Sequence, residues 1–282
     1  MQIEIKIDEK CKEPKIIVMT DKMTDEVNAI IKRLSDEQPQ VIVGFREDVV
    51  EVLEPSEIYR VFAESGKVFA ETNSVLNQYV AEIRDVAVQG DRMRFRRNIE
   101  RIGEIMAYEM SKELTYSVKQ VQTPLGVASV STPDDEVVIA TVFRAGLPLH
   151  TGFLNMFDHA GNAFVSAYRY YKDKECRTVD VHIEYIATPD LSKKTLLIVD
   201  PMLATGESME LAWKAFVTKG MPAKLQIACV IASQQGVEHL EKLFPGDEVT
   251  LWCAAIDPEM NEHSYIVPGL GDAGDLAFGD KI

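Results

Sequence analysis

Nothing in this chain suggests a covalent or metal staple. Its four cysteines, Cys11, Cys176, Cys229 and Cys253, are widely spaced with no C-x-x-C pair. That spacing fits neither a zinc site nor a disulfide framework, so reduced thiols are expected. No apolar run approaches the ~18 residues that suggest a membrane span. The first residues, Met1-Gln-Ile-Glu-Ile-Lys6, alternate charged and apolar types and do not read as a signal peptide, which makes the cytoplasm the expected compartment. Positive charge is also in short supply. With 30 Lys and Arg against 45 Asp and Glu, the net charge is −15. This balance argues against broad attraction to nucleic acid or anionic lipid. An anionic substrate would need local donors and a metal ion.

What is present is ordinary globular material, 46% apolar and 27% charged, in a length of 282 residues that suits one large domain or two ordinary ones. Residues 1–72 read as a small α+β unit. Positions 2–8, 15–20, 40–45, 49–53 and 67–72 are strand candidates, 58–63 is a further one, and a helix opens at Thr24-Asp25-Glu26. Residues 73–113 carry two apolar stripes at helical spacing, and 120–130 reads as a hairpin around Pro124-Leu-Gly126. From Glu136 to Ile256 strands alternate with helices, which argues a doubly wound, mostly parallel sheet.

The most informative stretch is Thr195 to Ser208. Leu196 to Val199 form an uninterrupted apolar run of the kind buried in a parallel sheet, and Asp200 is expected to end the strand. A small-residue turn follows, Ala204-Thr205-Gly206, with Ser208 as the expected N-cap of a helix over 209–219 that stops at Gly220. Strand, small-residue loop and helix N-terminus together make an anion site, because backbone N–H groups converge and the helix dipole adds partial positive charge. Taken alone, the loop fits an ordinary βα turn equally well. Arg144 follows the β-branched run 136–143, and Arg169 closes the strand expected over 163–169. Arginines at the C-terminal ends of parallel strands sit at the ligand rim of an open α/β sheet, although a structural ion pair is the plainer role. His150 has no partner pattern and reads as structural. The basic run Arg92-Met-Arg-Phe-Arg-Arg97 fits a solvated or subunit-facing helix start better than a nucleic-acid patch, since Glu100, Glu104 and Glu109 follow.

Asp200-Pro-Met-Leu-Ala-Thr-Gly206-x-Ser208 resembles the ribose-phosphate loop of the uracil phosphoribosyltransferases, and Pro268-Gly-Leu-Gly-Asp272-Ala-Gly-Asp275 resembles that family's second signature. Arg94-Phe-Arg96 and Tyr108-Glu109 match its N-terminal helices. The resemblance runs from about Asn73 to the C-terminus. It implies the α/β type I phosphoribosyltransferase fold, with a hairpin arm over 178–186 that acts as a lid and helps subunits pair. It also implies transfer of ribose 5-phosphate from phosphoribosyl pyrophosphate (PRPP) to uracil, giving UMP and pyrophosphate. The residues it marks as catalytic are Asp200, Arg144 and Asp272. PRPP would meet Arg144, Arg169, Asp200, Pro201, Met202, Leu203, Ala204, Thr205, Gly206, Glu207, Ser208 and Asp272. Uracil would meet Ile266, Gly271, Asp272 and Ala273. Magnesium would be bound through PRPP with no protein ligand assigned, and GTP is an effector in some members. Glu207 departs from the family's usual glycine and is expected to face solvent.

Before Asn73 the sequence resembles the beginning of a LytTR-type transcription regulator, in Gly44-Phe-Arg46, Val52-Leu-Glu-Pro-Ser-Glu-Ile-Tyr-Arg60 and Gly66-Lys-Val-Phe-Ala-Glu-Thr72. Only the first strands of that DNA-binding domain would be present. Positions 1–72 hold 16 acidic and 10 basic residues, which gives no basic stripe. The alternative of a nucleotide-sensing regulator that contacts DNA therefore lacks its basic face, and a junction of modules at Thr72/Asn73 is expected.

Overall fold

A computed structural model describes residues 3–8, 15–20, 41–45, 67–68, 73–171, 179–245 and 249–280. The chain divides into two compact units, Met1–Glu57 and Ile58–Ile282. The first holds β1 (Ile3–Asp8), β2 (Lys15–Thr20) and β3 (Val41–Phe45), ordered β1-β2-β3. The first pair is antiparallel and the second parallel. The helix expected after Thr24 and the strands expected over 49–53 and 58–63 lie outside the described residues. So does most of the N-terminal resemblance, of which Gly44, Phe45, Lys67 and Val68 are described.

The second unit is built on seven strands in the order β4-β12-β11-β10-β7-β8-β9. These are β4 (Lys67–Val68), β7 (Val137–Val142), β8 (Gly161–Tyr171), β9 (Val179–Ala187), β10 (Thr195–Leu203), β11 (Lys224–Ser233) and β12 (Val249–Asp257). All neighbours are parallel except β8 and β9. The four central strands read as continuous apolar runs because both faces are covered. Ile139, Leu197, Val199, Ala228 and Trp252 face one layer with helices α1 (Val75–Arg84), α2 (Arg92–Ser111) and α3 (Leu147–Leu154). Val138, Leu196, Ile198, Ile227 and Leu251 face the opposite layer, against α4 (Glu207–Phe216) and α5 (Gln234–Leu243). The helices α2 and α3 approach very closely, since a Cβ on Gly152 would fall 2.1 Å from the carbonyl oxygen of Glu100.

The hairpin β5 (Tyr116–Thr123) and β6 (Gly126–Pro133) is longer than its expected span of 120–130. Two short strands, β13 (Glu259–Met260) and β14 (Ile266–Val267), precede the last helix, α6 (Ala273–Phe278). Cys229 and Cys253, distant in sequence, face each other across β11 and β12 as buried free thiols with sulfurs 3.3 Å apart. Among the described residues no helix is long and apolar enough to cross a membrane.

Three expected boundaries shift. Asp200 does not end its strand: β11 keeps pairing with β10 through Leu203, so the ladder runs three residues further. Ser208 is not the N-cap of α4. Gly206 takes that position with φ 85°, a left-handed conformation that glycine adopts at no steric cost, and the helix starts at Glu207. Arg169 does not close β8, because antiparallel pairing with β9 carries the strand on to Tyr171. The expected stop at Gly220 holds: a 3₁₀ turn over Val217–Lys219 runs into it, at φ 118°.

Candidate active site

A cleft of about 620 Å³ opens where β7 and β10 reach their C-terminal ends, the usual ligand side of a parallel sheet. Three stretches wall it. The first is the turn after β7. Gly146 is required there because a Cβ would fall 1.9 Å from the Thr141 hydroxyl, which itself donates to the Val199 carbonyl at 2.8 Å and ties β7 to β10. Arg144 projects from this turn. Its Nη2 donates to Asp275 at 2.8 Å and its Nη1 to the Gly279 carbonyl at 3.1 Å.

The second wall is the loop from β10 into α4. Asp200, Met202, Leu203, Ala204, Thr205, Gly206 and Ser208 all line the cleft. Gly206 gives α4 no side-chain cap, and the N-terminal end of this helix faces the cleft through Gly206 and Ser208, an arrangement suited to a phosphate. Helix α5 supports the loop from behind. Buried Ser233 donates to the Ala204 carbonyl at 2.6 Å while accepting from the Gly236 N–H at 2.9 Å. The Asp200 carboxylate accepts one backbone N–H, from Met202 at 3.2 Å. Burial outweighs that bond and pushes the carboxyl up to about 7.

The third wall is C-terminal: Ile266 on β14, then Gly271, Asp272, Ala273 and Gly274. Asp272 N-caps α6, accepting the Asp275 N–H at 2.9 Å. This loop is clamped from outside the cleft. Arg84 makes a two-bond ion pair with Asp257 at 2.7 and 2.9 Å. Both partners also grip Gly269, Arg84 through its carbonyl and Asp257 through its N–H.

Two expected site residues do not face the cleft. Pro201 is buried, and Glu207 is exposed in the first turn of α4, as its departure from the family pattern suggests. Arg169 is placed in the β8 ladder opposite Val181, but its side chain lies outside the described residues, as does the tip of the expected arm. Phe143, Ala145, Ser166, Met209, Ser264 and Tyr265 line the cleft unforeseen. Ser264 carries the one detectable signal, a positive φ of 62° in the polar turn Asn261-Glu-His-Ser264, and that is a backbone property. His150 is structural: its Nε2 meets Asn162 at 2.7 Å and burial lowers its pKa, so it is held neutral. The basic run is spent internally. Arg94 pairs with Glu82, whose carboxyl it pulls down to about 2, Arg96 donates to the Ala277 carbonyl, and Arg97 pairs with Glu100.

Among the described residues no three carboxylate, histidine or cysteine side chains converge on a metal position. The cleft does present two carboxylates, Asp200 and Asp272. That oxygen set suits a magnesium ion held mainly through a ligand's phosphates.

A family model described as "Uracil phosphoribosyltransferase" matches residues 70–280. A uracil phosphoribosyltransferase of Porphyromonas gingivalis is 62% identical over 210 residues, covering 74% of this chain and 96% of its own. One from Pyrococcus furiosus is 33% identical over 215 residues, covering 75% and 89%. A solved structure of the AQ2163 protein from Aquifex aeolicus superposes with a TM-score of 0.66 at 28% identity, over 75% of this chain and 97% of that one.

Proposed function

Because the chain belongs to the uracil phosphoribosyltransferase family and makes UMP and pyrophosphate from uracil and PRPP, we propose that its cleft divides this reaction among the three walls just described. As pyrophosphate leaves, the anomeric carbon becomes oxocarbenium-like, so the site must stabilise leaving-group charge and keep water from the cation. Arg144 takes the pyrophosphate, since a forked guanidinium matches phosphate oxygens. Arg169 joins it from β8. The uncapped start of α4, with Thr205 and Ser208, holds the 5-phosphate, and Asp200 accepts from the ribose hydroxyls. Asp200 and Asp272 are the cleft carboxylates that would help hold a magnesium–ligand complex, and the ion would supply further neutralisation of the leaving charge.

Uracil presents two carbonyls flanking a ring N–H. Backbone groups of Ile266, Gly271 and Ala273 complement that pattern, and glycine permits the close approach. Cytosine, with an amine in place of one carbonyl, would bring a donor against a donor. The observation that carries this reading is the meeting, in one cleft, of an arginine, an uncapped helix start and a glycine-rich loop. The test is UMP formation from uracil, PRPP and magnesium, with cytosine, hypoxanthine and orotate in parallel. Turnover of another base in preference to uracil would displace the base assignment.

The catalytic domain in this reading is 73–282, acting as a cytoplasmic homodimer or larger homo-oligomer. The exposed ribbon β5–β6 supports pairing of copies, since it shows Val118, Val127 and Leu125 to solvent and a lone hairpin is marginal in water. GTP as effector is carried over from the family resemblance alone, and rates with and without GTP decide it.

A further inference from the structure

The guanidinium assigned above to the pyrophosphate already has an anion. Arg144 spans α6 from end to end: Nη2 reaches Asp275 in its first turn at 2.8 Å, and Nη1 reaches the Gly279 carbonyl just past its last residue at 3.1 Å. These two terminal nitrogens form one of the edges by which arginine grips a phosphate with paired bonds. Two more contacts fix the carboxylate in place. The Asp275 N–H donates to Asp272, which lines the cleft, and the Asp275 carbonyl accepts from the Gly279 N–H at 2.8 Å. The contact therefore belongs to a folded element and is no chance meeting of two long side chains.

We propose that Asp275 is a positioning residue that serves as the resident counter-anion of Arg144. It holds the guanidinium aligned in the empty cleft and competes with pyrophosphate for it, so that the product is released when the carboxylate regains its partner. This rests on the assignment of Arg144 to the pyrophosphate. Two opposing effects are at work. The carboxylate orders a flexible side chain, which favours productive binding. It also offsets part of the positive charge, which weakens binding of every pyrophosphate-bearing ligand. The pair is about one-third exposed on each side (38% and 32%), so water screens the charge term to a few-fold.

The experiment is product inhibition by inorganic pyrophosphate in the full-length enzyme, comparing Asp275→Asn, Asp275→Glu and Arg144→Ala. Asparagine keeps the size and an acceptor oxygen but not the charge. In Asp275→Asn the inhibition constant for pyrophosphate should fall about two- to fivefold and kcat should fall, while KM for uracil stays constant. Asp275→Glu, which restores the charge, should move both back toward the parent values. Unchanged pyrophosphate inhibition in Asp275→Asn overturns the proposal, and so does a raised KM for uracil as the main effect, because that marks a merely structural role in α6. Arg144→Ala tests the underlying assignment separately. If pyrophosphate inhibition and KM for PRPP survive that change, it is the arginine's role that fails.

Discussion

Asp200 pulls stability and activity in opposite directions. Its carboxyl titrates near 7 in the folded chain, above its ordinary value, so folding favours the protonated form. The contribution to stability is full below about pH 4 and is lost as pH rises toward 7. In the role proposed for Asp200 catalysis runs the other way, because the carboxylate accepts from ribose hydroxyls more strongly than the neutral acid does. We expect kcat/KM for PRPP to climb as pH passes through about 7. Asp200→Asn should remove that limb, lower kcat/KM about 10- to 100-fold at pH 8, and raise Tm there. Rate profiles and thermal melts of both forms at pH 5.5–8.5 check the pair of signs. Gly206 is the second residue-scale case. Its φ of 85° is strained for any side chain, and a Cβ would fall 2.7 Å from the His239 ring. Gly206→Ala should cost about 1–3 kcal/mol in denaturant unfolding and raise KM for PRPP, since the start of α4 must shift. That a glycine was needed here is plain in the motif. That it, and not Ser208, would cap the helix is not, because the choice depends on a backbone angle set by the α5 contact.

Elements were legible where their pattern was internal. The apolar runs of β7, β10, β11 and β12 mark buried strands without any knowledge of their neighbours. The ends of β10 and β8 were not legible, because Leu203 and Tyr171 are still strand only by virtue of the partner alongside. The clamp on the third wall was invisible for the same reason: Arg84 ends α1 and Asp257 ends β12, with no local signal joining them. The ion pair is mostly buried, at 21% and 7% side-chain exposure. Arg84→Ala would leave the Asp257 charge unpaired and free the Gly269 carbonyl, at a cost of about 3–5 kcal/mol. We expect a lower Tm, and KM for uracil raised more than KM for PRPP. Equal effects on both constants would show that the clamp does not act through the base loop.

At the scale of the molecule, every described residue that lines the cleft belongs to the second unit. A chain starting at Asn73 should retain UMP synthesis with KM values within about twofold of the full chain, measured alongside it. The loss of β4, which pairs with β12 through Lys67 and Val68, uncovers a sheet edge and should appear as aggregation before it appears in kcat. The cleft walls were readable as separate motifs, and their meeting was expected from the family resemblance and not from any local pattern. Phe143, Ser166 and Tyr265 join the site only through the order in which the strands pack.

That order has a consequence for synthesis on the ribosome. The strand β10 lies between β7, made earlier, and β11, made later, and the third wall of the cleft comes from residues 264–274. A nascent chain can therefore assemble most of the sheet, the loop from β10 into α4 included, while still lacking the third wall of the cleft. Protection by substrate should then appear only after residues 264–274 have left the ribosome. A chain cut before residue 264, with two walls built and the third missing, should be cleaved by added protease faster than the full chain whether or not substrate is present.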